Sequence, residues 1–148
     1  MQTALLNTEA GLRTYAVIFD KGDEPHSGLQ RFAGEEQISG ASLTAVGAFS
    51  SATLGYLNRD RMDYDEILVD EQVEVLSMVG DIALSDAQPE IHAHLVVGKK
   101  DGSTMGGHFC SAQVWPTLEV MVTETPAHLR KRYDRETGLT LIDPELTS

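Results

Sequence analysis

The stretch Ile91-His92-Ala93-His94-Leu95-Val96-Val97 sets two histidines among apolar and β-branched residues. Side chains alternate across a strand, so His92 and His94 share one face while Ile91, Ala93, Leu95 and Val97 share the other, apolar one. A second β-rich run, Met105 to Val114, carries Gly106-Gly107-His108 near its start. Between the two, Lys100-Asp101-Gly102 reads as a three-residue hairpin loop, with glycine where such loops need a left-handed residue. That loop pairs Lys99 with Ser103 and, counting back along both strands, His94 with His108. Facing residues have Cβ atoms ~5 Å apart. A slip of one residue would turn His108 to the opposite face. The expectation is an antiparallel hairpin with His92, His94 and His108 converging on one side.

Working outward, Val73 to Leu84 reads as a long strand with Gly80 a candidate bulge, followed by a turn from Ser85 to Glu90. Arg13 to Phe19, Leu43 to Phe49 and Thr53 to Leu57 are further strands, the last two separated by Ser50-Ser51-Ala52. The acidic segment from Asn58 to Glu71 reads as a long loop. Ser27 with Gln30 has the capping-box pattern, and Leu29, Phe32 and Ala33 have helical spacing, which predicts a short helix to about Ile38. Past Pro116, Leu118 to Thr125 is strand-like. Pro126 opens a second expected helix through Tyr133, Gly138 stops it, and Leu139 to Ile142 is a final short strand. The fold class is therefore α+β: a mostly antiparallel β-sheet of about seven strands with one or two short helices packed on it. No repeat or linker interrupts the chain, and residues 1–148 are expected to form one domain.

Composition narrows the function classes. The 148 residues include a single cysteine, Cys110, so no internal disulfide can form and a reducing compartment is expected. No apolar run is long enough to span a membrane and no signal-peptide pattern opens the chain, which reads as soluble and cytoplasmic. Eleven Lys and Arg stand against 23 Asp and Glu, a formal net charge of −12. Nucleic-acid binding is dominated by phosphate neutralisation, so this balance argues against direct DNA binding. The one dense basic run, Arg130-Lys131-Arg132 with Arg135, is broken by Asp134.

Three histidines with one open position is the arrangement of a catalytic zinc site. A divalent metal, with zinc the expected ion, fits His92, His94 and His108; imidazole also suits nickel, copper and iron. Cys110 follows His108 by two and is either a fourth ligand or a packed core thiol. The competing reading of the three histidines is a polar, solvent-facing sheet surface. His26 and His128 have no such company and are expected at the surface. Glu119 in Leu118-Glu119-Val120 and Glu74 in Val73-Glu74-Val75 interrupt apolar strands. A carboxylate there needs a partner or an exposed face. Orienting a metal-bound histidine or acid–base catalysis would supply the partner, so both are candidate catalytic residues. No phosphate-binding glycine loop and no nucleophile elbow is present.

Several motifs occur together in order: Ala45-Val46-Gly47-Ala48-Phe49, Ala52-Thr53-Leu54-Gly55-Tyr56, Glu74-Val75-Leu76-Ser77-Met78-Val79-Gly80, His92-Ala93-His94, Gly106-Gly107-His108 and Leu118-Glu119-Val120. From about Arg13 to Thr125 the chain resembles the plants-and-prokaryotes conserved (PPC) domain. That resemblance implies an antiparallel sheet with a packed helix, commonly assembled as a homotrimer. It also implies a metal at the motif matching His92, His94 and His108. Plant members follow an AT-hook and are DNA-associated, and prokaryotic members inherit that label; this sequence has no Arg-Gly-Arg-Pro core to enter a minor groove. The fold is also similar to that of acetolactate decarboxylase, a zinc lyase. The expected protein is thus a stand-alone homotrimer with a three-histidine divalent-metal site and room for a small-molecule ligand at the metal. The alternative is a metal-dependent lyase or hydrolase acting on a small carbonyl or carboxylate substrate. A DNA-binding regulator is the third reading, which the charge disfavours.

Overall fold

A computed structural model describes residues 1–147. In chain order the elements are β1 (Gln2–Glu9), β2 (Leu12–Asp20), α1 (Pro25–Glu35), β3 (Gly40–Asn58), β4 (Asp63–Val69), β5 (Val73–Ser85), β6 (Gln88–Gly98), β7 (Thr104–Glu124), β8 (Lys131–Tyr133) and β9 (Thr140–Ile142). Seven strands form one sheet in the order β1-β2-β7-β6-β5-β3-β4, and β8 and β9 form a separate hairpin. Every ladder in the large sheet is antiparallel. Because β7 also pairs with β3, the strands β3, β5, β6 and β7 close a circuit of pairings. No helix among the described residues is long and apolar enough to cross a membrane.

Two long strands make that closure possible. Leu43–Phe49 and Thr53–Leu57, expected as separate strands, are one strand, β3, because the small residues Ser50-Ser51-Ala52 stay in the ladder. Register shifts on either side of Phe49 bend the strand there without ending it. Likewise Met105–Val114 and Leu118–Thr125 are the two halves of β7, joined through the cis Trp115–Pro116 bond. One half of β7 pairs with β6 and the other with β2, while β3 runs beside both.

Helix α1 packs Leu29, Phe32 and Ala33 into the core with Phe19, Phe49, Phe109 and Leu118, all essentially inaccessible to water. It begins before Ser27. Glu24 is the N-cap, its carboxylate accepting from the amides of His26 and Ser27 at 3.1 and 2.7 Å. The opposite face of the central strands leaves Val46, Leu76, Val79, Val96 and Met121 exposed.

Other sequence expectations need correction. The N-terminal residues form β1, an exposed edge strand whose apolar residues Ala4-Leu5-Leu6 are consecutive and show no alternation. The acidic segment is not all loop: Asp63–Val69 pairs with β3, burying Val69 while its charges stay in solvent. Gly80 is no bulge; the irregularity in β5 lies between Val75 and Ser77. What needs glycine at 80 is close approach, since a Cβ there would lie 2.3 Å from the His92 carbonyl oxygen. The turn after β5 is only Asp86-Ala87, both with positive φ, as a two-residue hairpin turn requires. The expected helix from Pro126 to Tyr133 does not form. Leu129 donates its amide to the Ser39 carbonyl, and Thr125 donates to Gly40, so the backbone is spent on neighbouring chain. Eight residues are too few to nucleate a helix against such partners.

Candidate metal centre

The hairpin of β6 and β7 has the expected register. Lys99 donates its amide to the Ser103 carbonyl at 2.8 Å, Gly98 pairs with Thr104, and His94 pairs with His108. Gly102 closes the loop at φ +85°, a conformation that suits glycine. His92, two residues back on β6, completes the group. The three ring centroids are 5.2 to 5.5 Å apart, and one donor atom from each ring lies within 4.8 Å of the others. Among the described residues this is the one cluster of histidine, cysteine or carboxylate groups with that geometry.

Past His108 the strand leaves β6 and continues along β3. Gly55 pairs with His108 and Leu54 with Phe109, then a register shift leaves Cys110 as the extra residue before Ser111. That bulge takes Cys110 out of the cluster. Its sulfur lies 3.9 Å from the His108 carbonyl oxygen, and partial burial pushes the thiol pKa up. Of the two readings of Cys110, fourth ligand is not the one realised within the chain.

Burial is uneven across the cluster: His92 and His108 are half-buried, whereas His94 is exposed. Burial first, then the neighbouring imidazoles His92 and His94, lower the His108 pKa to about 4. Burial and His92 also lower His94. Both rings are therefore neutral at pH 7, the form that keeps a lone pair for a metal. His108 Nδ1 is buried without a hydrogen-bond partner. Tyr64 of β4 stacks on the His108 ring at 4.4 Å between centroids and 21° between planes. A hollow of about 360 Å³ opens over His92 and His108, walled by His26, Tyr64, Lys131 and Leu139 to Leu141. His26 is therefore half-buried against Phe109 and not a surface residue, whereas His128 is exposed beside Ser39.

Glu119 and Glu74 do not join the histidines within one chain. Glu119 lies on the exposed apolar face in a hollow with Val46, Leu76, Val79 and Met121. Glu74 pairs with Gly98 at the far end of β5, beside Lys99 and Lys100. The acid that does reach the cluster is Asp81, directly across the ladder from His92, with Oδ2 3.4 Å from His92 Nδ1. Sequence reading missed it together with Tyr64 and Lys131. A two-residue turn at Asp86-Ala87 would have paired 81 with 92; the six-residue turn assumed there hid that register.

Three imidazoles form a donor set suited to a borderline divalent ion. Tetrahedral zinc–nitrogen bonds of ~2.0–2.1 Å place donors about 3.3 Å apart, so modest side-chain adjustment closes the site. The unpartnered His108 nitrogen is the kind of group that an ion would satisfy.

The sequence profile described as the Plants and Prokaryotes Conserved (PCC) domain, the family abbreviated PPC above, matches residues 6–126. No curated protein matches this chain. Among solved structures, the chain is similar to a metal-containing protein from Archaeoglobus fulgidus, with 31% identity, TM-score 0.81, and coverage of 94% of this chain and 98% of that one. It is similar to a candidate DNA-binding protein from Bacteroides thetaiotaomicron, with 29% identity, TM-score 0.85, and coverage of 89% and 92%. A fold likeness extends to a Staphylococcus aureus protein of unknown function that is itself similar to α-acetolactate decarboxylase, with 10% identity, TM-score 0.56, and coverage of 75% and 52%.

Proposed function

This chain belongs to the Plants and Prokaryotes Conserved domain family, and on that premise we propose that it is a homotrimeric metal-binding module holding one divalent ion, zinc, on His92, His94 and His108. The observation that carries this reading is the convergence of three imidazoles, one of which, His108, has a buried nitrogen without a partner. The likeness to a protein described as metal-containing supports it. When bound, zinc on three imidazoles is a Lewis acid with one position open to a small ligand.

Assembly is argued from the sheet. Val46, Leu76, Val79, Val96 and Met121 leave an apolar face without cover, and His94 lies in a hollow beside Val79 and Val96 at its border. Exposed apolar patches mark interaction surfaces. Further copies of this chain are the occupants the family implies, and their association would draw the metal centre towards the interface. Direct DNA binding is no part of this reading. Within the basic run, Lys131 is buried against Glu90 and Arg132 pairs with Asp143, so little free positive charge is left for phosphates.

Metal analysis of the purified protein tests the proposal. One ion per chain is expected, lost in His92→Ala, His94→Ala and His108→Ala and kept in His26→Ala and His128→Ala. Stoichiometric metal surviving the loss of His94 would overturn it.

The hollow over His92 and His108 favours a second reading, a metal-dependent lyase or hydrolase for a small carbonyl or carboxylate substrate. In a trimer Glu119 would act from the shared face. A screen of esters and 2-oxo acids decides: turnover lost in both His94→Ala and Glu119→Gln would make the protein an enzyme, and no turnover in any variant leaves the module.

A further inference from the structure

We propose that Asp81, with Lys131 of the C-terminal hairpin behind it, is a positioning residue that holds His92 as the Nδ1–H tautomer and so presents the Nε2 lone pair to the metal. The ladder sets Asp81 opposite His92 and brings Oδ2 to 3.4 Å from Nδ1. A carboxylate oxygen accepts hydrogen bonds, so a bond closed across this 3.4 Å gap needs the proton on Nδ1. In a neutral imidazole the other nitrogen then has the lone pair.

The second carboxylate oxygen shows what keeps Asp81 in place. Asp81 Oδ1 is buried without a hydrogen-bond partner, and the nearby cation is Lys131, whose Nζ is 4.0 Å away. The Lys131 side chain is only 2% exposed and also contacts Glu90 at 2.9 Å. A buried ammonium needs compensating charge, and Asp81 and Glu90 share that role. Strand β8 is thereby tied to the back of His92, and the C-terminal hairpin, which lies outside the residues matched by the family profile, becomes part of the site.

The consequence for metal affinity rests on the metal reading above, but the tautomer does not. Two measurements separate them. Long-range proton–nitrogen NMR of the metal-free protein should give the Nδ1–H pattern for His92, kept in Asp81→Asn, whose amide oxygen still accepts, and lost in Asp81→Ala. Zinc titration against a competing chelator should show 10–100-fold weaker binding in Asp81→Ala and near-normal binding in Asp81→Asn. A His92 that carries its proton on Nε2 in the wild-type protein overturns the proposal. So does an Asp81→Ala protein that melts lower yet keeps both tautomer and affinity, because Asp81 is then only a tether for β8. Should Asp81→Ala fail to fold, the wild-type tautomer and the Asp81→Asn affinity decide alone. A wild-type protein that binds no zinc removes the metal reading and leaves the NMR result to judge Asp81.

Discussion

His94 and His108 face each other across the β6–β7 ladder, with ring centroids 5.4 Å apart and planes at 85°. Their meeting depends on a three-residue loop closed by Gly102 at φ +85°. Gly102→Val puts a β-branched side chain in that conformation, at a cost of about 1–2 kcal/mol. The expected outcome is a lower melting temperature and weaker metal binding together, read by calorimetry and by metal titration. Loss of neither would mean the loop does not govern the register.

Gly80→Ala acts one residue from Asp81. Its Cβ would meet the His92 carbonyl oxygen at 2.3 Å and the Ala93 Cβ at 2.8 Å, both fixed parts of the neighbouring strand. Overpacking of this kind costs about 1–3 kcal/mol. Chemical denaturation should show that loss, and chelator competition should show reduced zinc affinity as β6 is pushed away.

The apolar face gives a direct test of assembly. Val79→Glu places a charge among Leu76, Val96 and Met121 on a surface where the single chain has no need of burial. Light scattering should change from the mass of three chains to that of one, with an unchanged circular dichroism spectrum. A wild-type protein that is already monomeric at micromolar concentration would remove the trimer.

For DNA, the expected result is no duplex binding at physiological salt, measured by fluorescence anisotropy. The formal charge of −12 and the pairing of Lys131 and Arg132 with carboxylates motivate it. Micromolar binding that weakens steeply with added salt would point to Arg130 and Arg135.

Alkaline stability should be governed in part by Tyr15. Burial, and then its hydrogen bond to Glu36 at 2.6 Å, raise the hydroxyl pKa to about 12, against ~10 in the unfolded chain. Between those values only the unfolded chain sheds the proton. The contribution is whole below pH ~10 and lost as pH rises through about 12. Melting temperatures taken from pH 9 to 12 should fall less steeply in Tyr15→Phe, which gives up about 1 kcal/mol at neutral pH for its missing bond.

Much of this protein is legible in one dimension. The i, i+2 spacing of His92 and His94, the Lys100-Asp101-Gly102 loop and the count back to His108 needed only strand alternation and turn geometry, which are local rules. The same rules identified α1, β2 and the bulk of β5, β6 and β7, where apolar residues face the core at regular intervals. They failed where patterning is weak. Strands β1 and β4 are edges whose apolar residues run together, as Leu5-Leu6 and Ile67-Leu68-Val69, instead of alternating with polar ones, and the segment from Pro126 spends its amides on partners distant in sequence.

What the sequence determined by itself is the hairpin and the shared face of three histidines, because both follow from neighbours a few residues apart. Only the tertiary structure decided which other groups surround them. Tyr64 of β4 reaches His108 of β7 across β3, Asp81 reaches His92 through a turn too tight to read, and Lys131 comes from a terminal hairpin fifty residues from Asp81 in the chain. Glu119 and Glu74, the carboxylates that the apolar pattern singled out, lie elsewhere on the sheet. An interrupted apolar run shows that a charge lies on a strand; which strand stands opposite it is set by how β3, β5, β6 and β7 close on one another.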